Sequence, residues 1–134
     1  MVSGRFSLST AVNMEFVDIT DKLQRTVDEN KIDSGILVAY NPHTTAGLTI
    51  NEGADPAVQS DLVGILHRII PRDYPCRHRE GNSPSHMMAT LTGSSVTIII
   101  EEGHLMLGTW QRVFFCEYDG PRNRKVWWKI MTDQ

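Results

Sequence analysis

The stretch from Val96 to Ile130 is a succession of strand-like runs separated by turns, and no other feature constrains the fold as tightly. Val96 to Ile100 is an apolar run, Glu101-Glu102-Gly103 is a turn, and Leu105 to Leu107 returns the chain. Val113, Phe115 and Glu117 then alternate with Arg112, Phe114, Cys116 and Tyr118. After the turn Asp119-Gly120-Pro121, Val126, Trp128 and Ile130 alternate with Lys125, Trp127 and Lys129. A period of two sends successive side chains to opposite sheet faces. Strands joined by turns pair antiparallel, because a parallel pair needs a long crossover. Helical patterns interrupt the earlier strands, so the expected class is α+β, mainly antiparallel sheets with two or three helices.

The first two thirds supply those helices. Residues 5 to 19 alternate loosely and read as one or two strands with a kink near Asn13. Thr20 is expected to cap a helix reaching about Asn30, with Ile19, Leu23 and Val27 four apart on one side. Ile36 to Tyr40 reads as a buried strand stopped by Asn41-Pro42, and Leu48 to Asn51 as another strand ending at Glu52 and Gly53. Asp55-Pro56 opens the clearest helix, a cap followed by proline at the first helical position. Val58, Leu62, Ile65, Leu66 and Ile69 give it a stripe expected to face the core, and Pro71 ends it. Ser83-Pro84 reads as the cap and first residue of a further helix, with Met87, Met88 and Leu91 as packing residues and Gly93 as its stop. No repeat, linker or low-complexity tract divides the 134 residues, which are expected to form a single domain over 1–134.

Charge and cysteine usage narrow the function classes. The formal net charge is -3 and there is no long basic run, which argues against broad nucleic-acid binding. No apolar stretch is long enough to span a bilayer and no signal-peptide pattern opens the chain, so no membrane partner is expected. Cys76 and Cys116 make no disulfide framework, and free thiols with a cytoplasmic location are expected.

The residues able to do chemistry sit at element ends. His43, His78 and His86 lie in loops or the first turn of a helix, where sites are usually assembled. Three imidazoles with one open position are a known way to hold a catalytic metal, so a divalent ion, zinc or magnesium, is a candidate cofactor. The positive end of its helix favours a neutral His86. Glu52 is a candidate general base, ligand or partner for a histidine, and equally a solvated carboxylate at a strand end. In Gly108-Thr109-Trp110-Gln111, Trp110 reads more readily as core than as a ligand platform. Arg122 and Arg124 can recognise phosphate or carboxylate through paired hydrogen bonds, or can be a solvated turn. His67 reads as a partly exposed structural residue and His104 as solvent-exposed. Neither GxGxxG, GxxxxGK[ST] nor Gly-x-Ser-x-Gly occurs, which removes the standard nucleotide loops and the hydrolase serine elbow.

Four segments taken together resemble the YjbQ-like family of small bacterial and archaeal proteins. They are His43 to Glu52, His78 to His86 with its Gly81-Asn82, Leu107 to Gln111, and Cys116 to Arg122. The resemblance covers nearly the whole chain with the motifs in the family's order. It implies an α+β fold assembled as a homotrimer. It also implies a secondary thiamine-phosphate synthase activity, the joining of a pyrimidine diphosphate to a thiazole phosphate with release of diphosphate. The signature positions carried over are His43, Glu52, His78, Asn82, His86, Gln111, Asp119 and Arg122. On that basis His43, Glu52, His78 and His86 are expected to be catalytic. Asn82, Gln111, Asp119, Arg122 and Arg124 are expected to bind substrate, and His43, His78 and His86 to hold any metal. The family's tyrosine near the second histidine is displaced here to Tyr74, with Cys76-Arg77 before His78. Two other readings of the residues stand beside the enzyme: a non-catalytic module for a phosphorylated metabolite, and a structural trimer whose interface covers aromatics such as Trp127.

Overall fold

A computed structural model describes residues 1–133. Eight strands and three helices run in the order β1 (Val2–Ser9), β2 (Glu15–Asp18), α1 (Thr20–Glu29), β3 (Gly35–Tyr40), β4 (Ala46–Glu52), α2 (Pro56–Ile69), α3 (Ser83–Thr92), β5 (Ser95–Glu101), β6 (His104–Leu105), β7 (Gln111–Glu117) and β8 (Asn123–Thr132). They form a five-stranded sheet in the order β1-β8-β3-β5-β6 and a three-stranded sheet in the order β2-β7-β4. Every strand pairing is antiparallel. The expected α+β class with mainly antiparallel sheets is therefore the class observed. No helix among the described residues is long and apolar enough to cross a membrane.

The alternation in β7 explains the layering. Val113 and Phe115 point into the main core, where they meet Leu37 and Ala39 of β3, Leu48 of β4, Val126 and Ile130 of β8, and Leu23 and Val27 of α1. Phe114 and Cys116 point the other way, into a second cluster with Met88 of α3 and Ile70. Both faces of β7 are covered, which is why its sequence is apolar almost throughout. Glycine at the end of α3 suits the backbone there, since Gly93 has φ +93, a conformation other residues rarely adopt.

Several local expectations change. The kink near Asn13 is a full break, and the two halves belong to different sheets. Thr20 is the first helical residue rather than the cap; its hydroxyl accepts from the Val113 N–H instead, and the Asp18 carboxylate accepts from the Thr20 N–H. In α3, Asn82 occupies the cap position, so Ser83 and Pro84 are its first two helical residues. At α2 the expected cap is found, with Asp55 Oδ1 accepting from the Ala57 N–H at 2.9 Å and Pro56 opening the helix.

The largest correction concerns the α2 stripe. No residue of α2 is buried, and Ile65 and Ile69 are 53% and 58% exposed. The outer face of the small sheet is already occupied by Met88 of α3, which leaves α2 only partial packing through Leu66. Periodicity marks an apolar face but does not say what covers it. Of the methionine pair only Met88 packs; Met87 and Leu91 are exposed. Trp110, expected in the core, is also exposed, and Trp127 lies on the outer face of the large sheet, stacked on Tyr40.

Candidate functional site

At one end of the two sheets, the start of β4, the end of β7, the start of β8 and the end of β1 meet. Glu117, the last residue of β7, is fully buried there. It accepts hydrogen bonds from the Thr10 hydroxyl at 2.7 Å, from Arg124 Nε at 2.8 Å, and from the Asp119 N–H at 3.0 Å. Arg124 Nη2 completes an ion pair with Glu117 and also donates to the Thr45 hydroxyl at 2.9 Å. Burial alone would raise the Glu117 pKa, but Arg124, Thr10 and the Asp119 amide together hold it below the usual carboxylate range. A charge pair with all its bonds made is the form in which buried charges persist. It joins three strands and the following turn into a rigid floor.

The imidazoles stand around this floor. His43 is placed by the buried Asn41, whose amide donates to the Ala46 carbonyl at 2.7 Å and whose Oδ1 accepts from the His43 N–H at 3.0 Å. His43 Nε2 accepts from the Lys125 N–H at 2.8 Å. Burial and the nearby Arg124 charge push its pKa down. His43 is therefore neutral with its proton on Nδ1. His86, in α3, has Nδ1 at 3.0 Å from the Thr44 carbonyl. A carbonyl only accepts, so Nδ1 carries the proton and Nε2 is left free for chemistry. The exposed His78 opens the turn at the end of the α2–α3 connection, and its ring meets that of His86 edge-to-face at 5.6 Å between centroids. That turn closes with the Gly81 N–H on the His78 carbonyl at 3.1 Å, with Gly81 at φ +67.

Asn82 and the Asp119-Gly120-Pro121-Arg122 turn close the circle. Asn82 Nδ2 donates to Asp119 Oδ2 at 2.9 Å, and Arg122 Nη2 donates to the same oxygen at 3.0 Å. Arg122 Nε holds the Asp119 carbonyl at 2.7 Å. Asn82 Oδ1 is out of solvent and meets no donor among the described residues. Together these groups line a polar cleft of about 460 Å³ that contains all three loop histidines, Asn82, Asp119, Arg122 and the edge of Arg124.

Not every predicted residue is there. Glu52 and Gln111 face each other across β4 and β7 at the far end of the small sheet. Six residue steps of strand separate Glu52 from Ala46, about 20 Å at ~3.4 Å per step. Glu52 accepts from the N–H groups of Ala54 and Asp55 ahead of α2, and Gln111 Oε1 accepts from the Gly108 N–H at 2.7 Å. Both side chains hold loops in this chain. Arg124 borders the cleft, but its guanidinium is engaged by Glu117 and Thr45, so it braces the site rather than offering a free fork. His43 Nε2 is engaged by a backbone N–H, and among the described residues no group of three His, Cys, Asp or Glu is placed to hold a metal.

Other sequence candidates fall outside the cleft. Cys116 is buried and its thiol is pushed up to about 12, too high for a thiolate nucleophile. His104 is exposed, as expected, and His67 accepts from Arg72 Nε at 3.2 Å. Glu117, Thr10, Thr45 and Asn41 were invisible as site residues. The one signal was a carboxylate closing an otherwise apolar strand.

Two antiparallel sheets, with α1 and α3 against opposite faces of β7 and a polar, histidine-lined cleft at one sheet end, define a small α+β class with a preformed site. The profile of the family described as "UPF0047 protein YjbQ-like" matches residues 4–133, and the chain belongs to that family. UPF0047 protein MJ1081 of Methanocaldococcus jannaschii is 46% identical over 130 residues, 97% of this chain and 94% of that one. UPF0047 protein YugU of Bacillus subtilis is 43% identical over 125 residues, 92% of this chain and 95% of its own length. The crystal structure of a conserved yjbq/upf0047-family protein from Clostridium acetobutylicum superposes with a TM-score of 0.92 at 49% identity, covering 95% of this chain and 98% of that one.

Proposed function

We propose that the cleft binds the phosphate or diphosphate group of a small metabolite, and that His86 and His78 exchange protons with it. The observation that carries this reading is the convergence of three imidazoles and the Arg122 guanidinium on one polar cleft. Arg122 is half exposed, and among the described residues its ion pair is with Asp119 alone, which engages Nε and Nη2, so its remaining N–H groups can take an anion's oxygens while Asp119 keeps it oriented. His86 presents a free Nε2 in a fixed tautomer, which suits a general acid or base near neutral pH.

In its finer form the reading is the transfer that the family resemblance implies. The lone pair of a thiazole nitrogen forms a bond to the methylene carbon of a pyrimidine diphosphate. The carbon–oxygen bond breaks, and diphosphate leaves with the electron pair. Negative charge grows on the leaving oxygens, where Arg122 and a protonated His86 or His78 offset it. His43 stays neutral and orients the loop. The protein would act as a homotrimer in the cytoplasm, with the exposed α2 stripe covered by a neighbouring subunit.

Calorimetry with inorganic diphosphate, paired with an assay for diphosphate release, tests both levels. Arg122→Ala should weaken diphosphate about tenfold or more. His86→Ala should lower turnover about a hundredfold or more while changing binding little. Binding without turnover on the pyrimidine and thiazole substrates identifies a binding module for a phosphorylated metabolite. Absence of diphosphate binding overturns the reading.

A further inference from the structure

A second polar space adjoins the cleft. Between the loop after β3 and the side of α3 lies a recess of about 350 Å³. It shares Pro42, His43, Thr44 and His86 with the cleft and continues past them to Thr90 and Ser94. The backbone fixes the hydrogen-bonding roles of the two shared imidazoles. A peptide N–H only donates, so the Lys125 N–H on His43 Nε2 leaves that ring's proton on Nδ1. A carbonyl only accepts, so Thr44 on His86 Nδ1 leaves a lone pair on Nε2 of the neutral ring. His43 Nδ1 has no partner among the described residues, yet it is not sealed in: the buried side-chain polar atom without a partner is Asn82 Oδ1. His43 thus offers a donor, and His86 an acceptor, to the same continuous space. The hydroxyls of the exposed Thr44 and Ser94 make no hydrogen bond among the described residues. Thr90 Oγ1 donates to the His86 carbonyl at 2.9 Å and keeps its acceptor side.

The geometry points to a phosphorylated polyol as the ligand: its phosphate lies in the cleft with Arg122, and its hydroxylated carbons pass His43 and His86 into the recess. A hydroxyl donates and accepts at once, so it meets a fixed donor beside a fixed acceptor. Further two-way partners at Thr44 and Ser94 suit neighbouring hydroxyls on a short carbon chain. The inference rests on the proposed phosphate site and is independent of the transfer to a thiazole. It assigns the substrate class as a sugar phosphate or a shorter polyol phosphate, with His43 Nδ1 as the donor that selects for the hydroxyls.

Glycerol 3-phosphate and propyl phosphate separate the two subsites, since they share the anion and the three-carbon chain and differ in two hydroxyls. By calorimetry the wild-type protein should bind glycerol 3-phosphate about tenfold tighter, the gain expected from two net hydrogen bonds. Thr44→Val combined with Ser94→Ala should cut that advantage about threefold or more and leave propyl phosphate unchanged. Both residues are exposed, so the pair of substitutions removes no core packing. The His43 Nδ1 resonance should move further with glycerol 3-phosphate than with propyl phosphate, a response that a merely structural His43 would not give. Equal affinity for the two esters overturns the polyol subsite and leaves the phosphate site standing. An advantage that survives the double substitution, or that leaves His43 Nδ1 responding to both esters alike, also overturns it, because the hydroxyls then lie elsewhere. Failure of both esters to bind overturns the phosphate site itself.

Discussion

Glu117 and Glu52 are the same residue type at opposite ends of the same strand pair, and they do different work. Glu117 ends β7 opposite Ala46; Glu52 ends β4 opposite Gln111. Glu117 is fully buried, paired with Arg124, and bonded to Thr10 and the Asp119 amide. Glu52 lies near the surface and ties down two N–H groups of the loop before α2. One end of the small sheet therefore has a braced polar floor on which a cleft can be built. The other end has an ordinary loop closure. Burial and the number of partners, rather than residue type, separate the end that organises a site from the end that does not.

The largest effect should come from breaking the brace. Glu117→Ala leaves Arg124 buried without its partner and should cost about 3–5 kcal/mol of stability, read by chemical denaturation. Replacing both partners, Glu117→Leu with Arg124→Met, should recover much of that loss, because no unpaired charge is left behind. If Glu117→Ala is silent, the two ends are equivalent and the comparison fails. Next in size, Arg122→Ala should weaken diphosphate by about 1.5–3 kcal/mol, while Gln111→Ala at the far end should leave diphosphate affinity unchanged. A loss with Gln111→Ala would place the far end in the site.

Acid should find the cleft end before it finds the other. Burial and Arg124 depress the His43 pKa below its ordinary 6.5. The folded state prefers neutral His43, so its stabilising contribution is complete above pH 6.5 and declines as pH falls through the lower folded value. Glu117, depressed below 4.5, adds a second loss further down the acid range. His43→Gln should flatten the first decline in a pH series of denaturation midpoints. The smallest effect belongs to Glu52→Gln, about 1 kcal/mol or less, since an exposed amide oxygen still accepts from the loop.

Two of the loop histidines were legible because each follows a strand-stop or helix-start signal. His43 comes after Asn41-Pro42, and His86 after Ser83-Pro84, so both had to lie at element ends. The strands of the last third were legible from period two, but their pairing was not: β7 and β8, joined by the Asp119-Gly120-Pro121 turn, lie in different sheets, β7 between β2 and β4 and β8 between β1 and β3. Nor was the floor. Thr10 and Glu117 are 107 residues apart in sequence, and nothing local marks their hydrogen bond. Arg124 read as a substrate-binding fork on a turn, because its burial and its pairing with Glu117 depend on β1 and β4 closing over it. The resemblance grouped Glu52 and Gln111 with the cleft residues, yet within one chain a strand's length keeps them apart. The exposed α2 stripe shows the same limit from the apolar side, since a helical period fixes which side chains align and leaves their partner open.

Imidazole nitrogen resonances followed during titration with inorganic diphosphate test the central claim most directly. Saturable shifts of His86 and His78 together, abolished by Arg122→Ala while His67 and His104 stay still, are the predicted result. Diphosphate that leaves His86 and His78 unmoved, or that moves all five histidines alike, would contradict a phosphate site in this cleft.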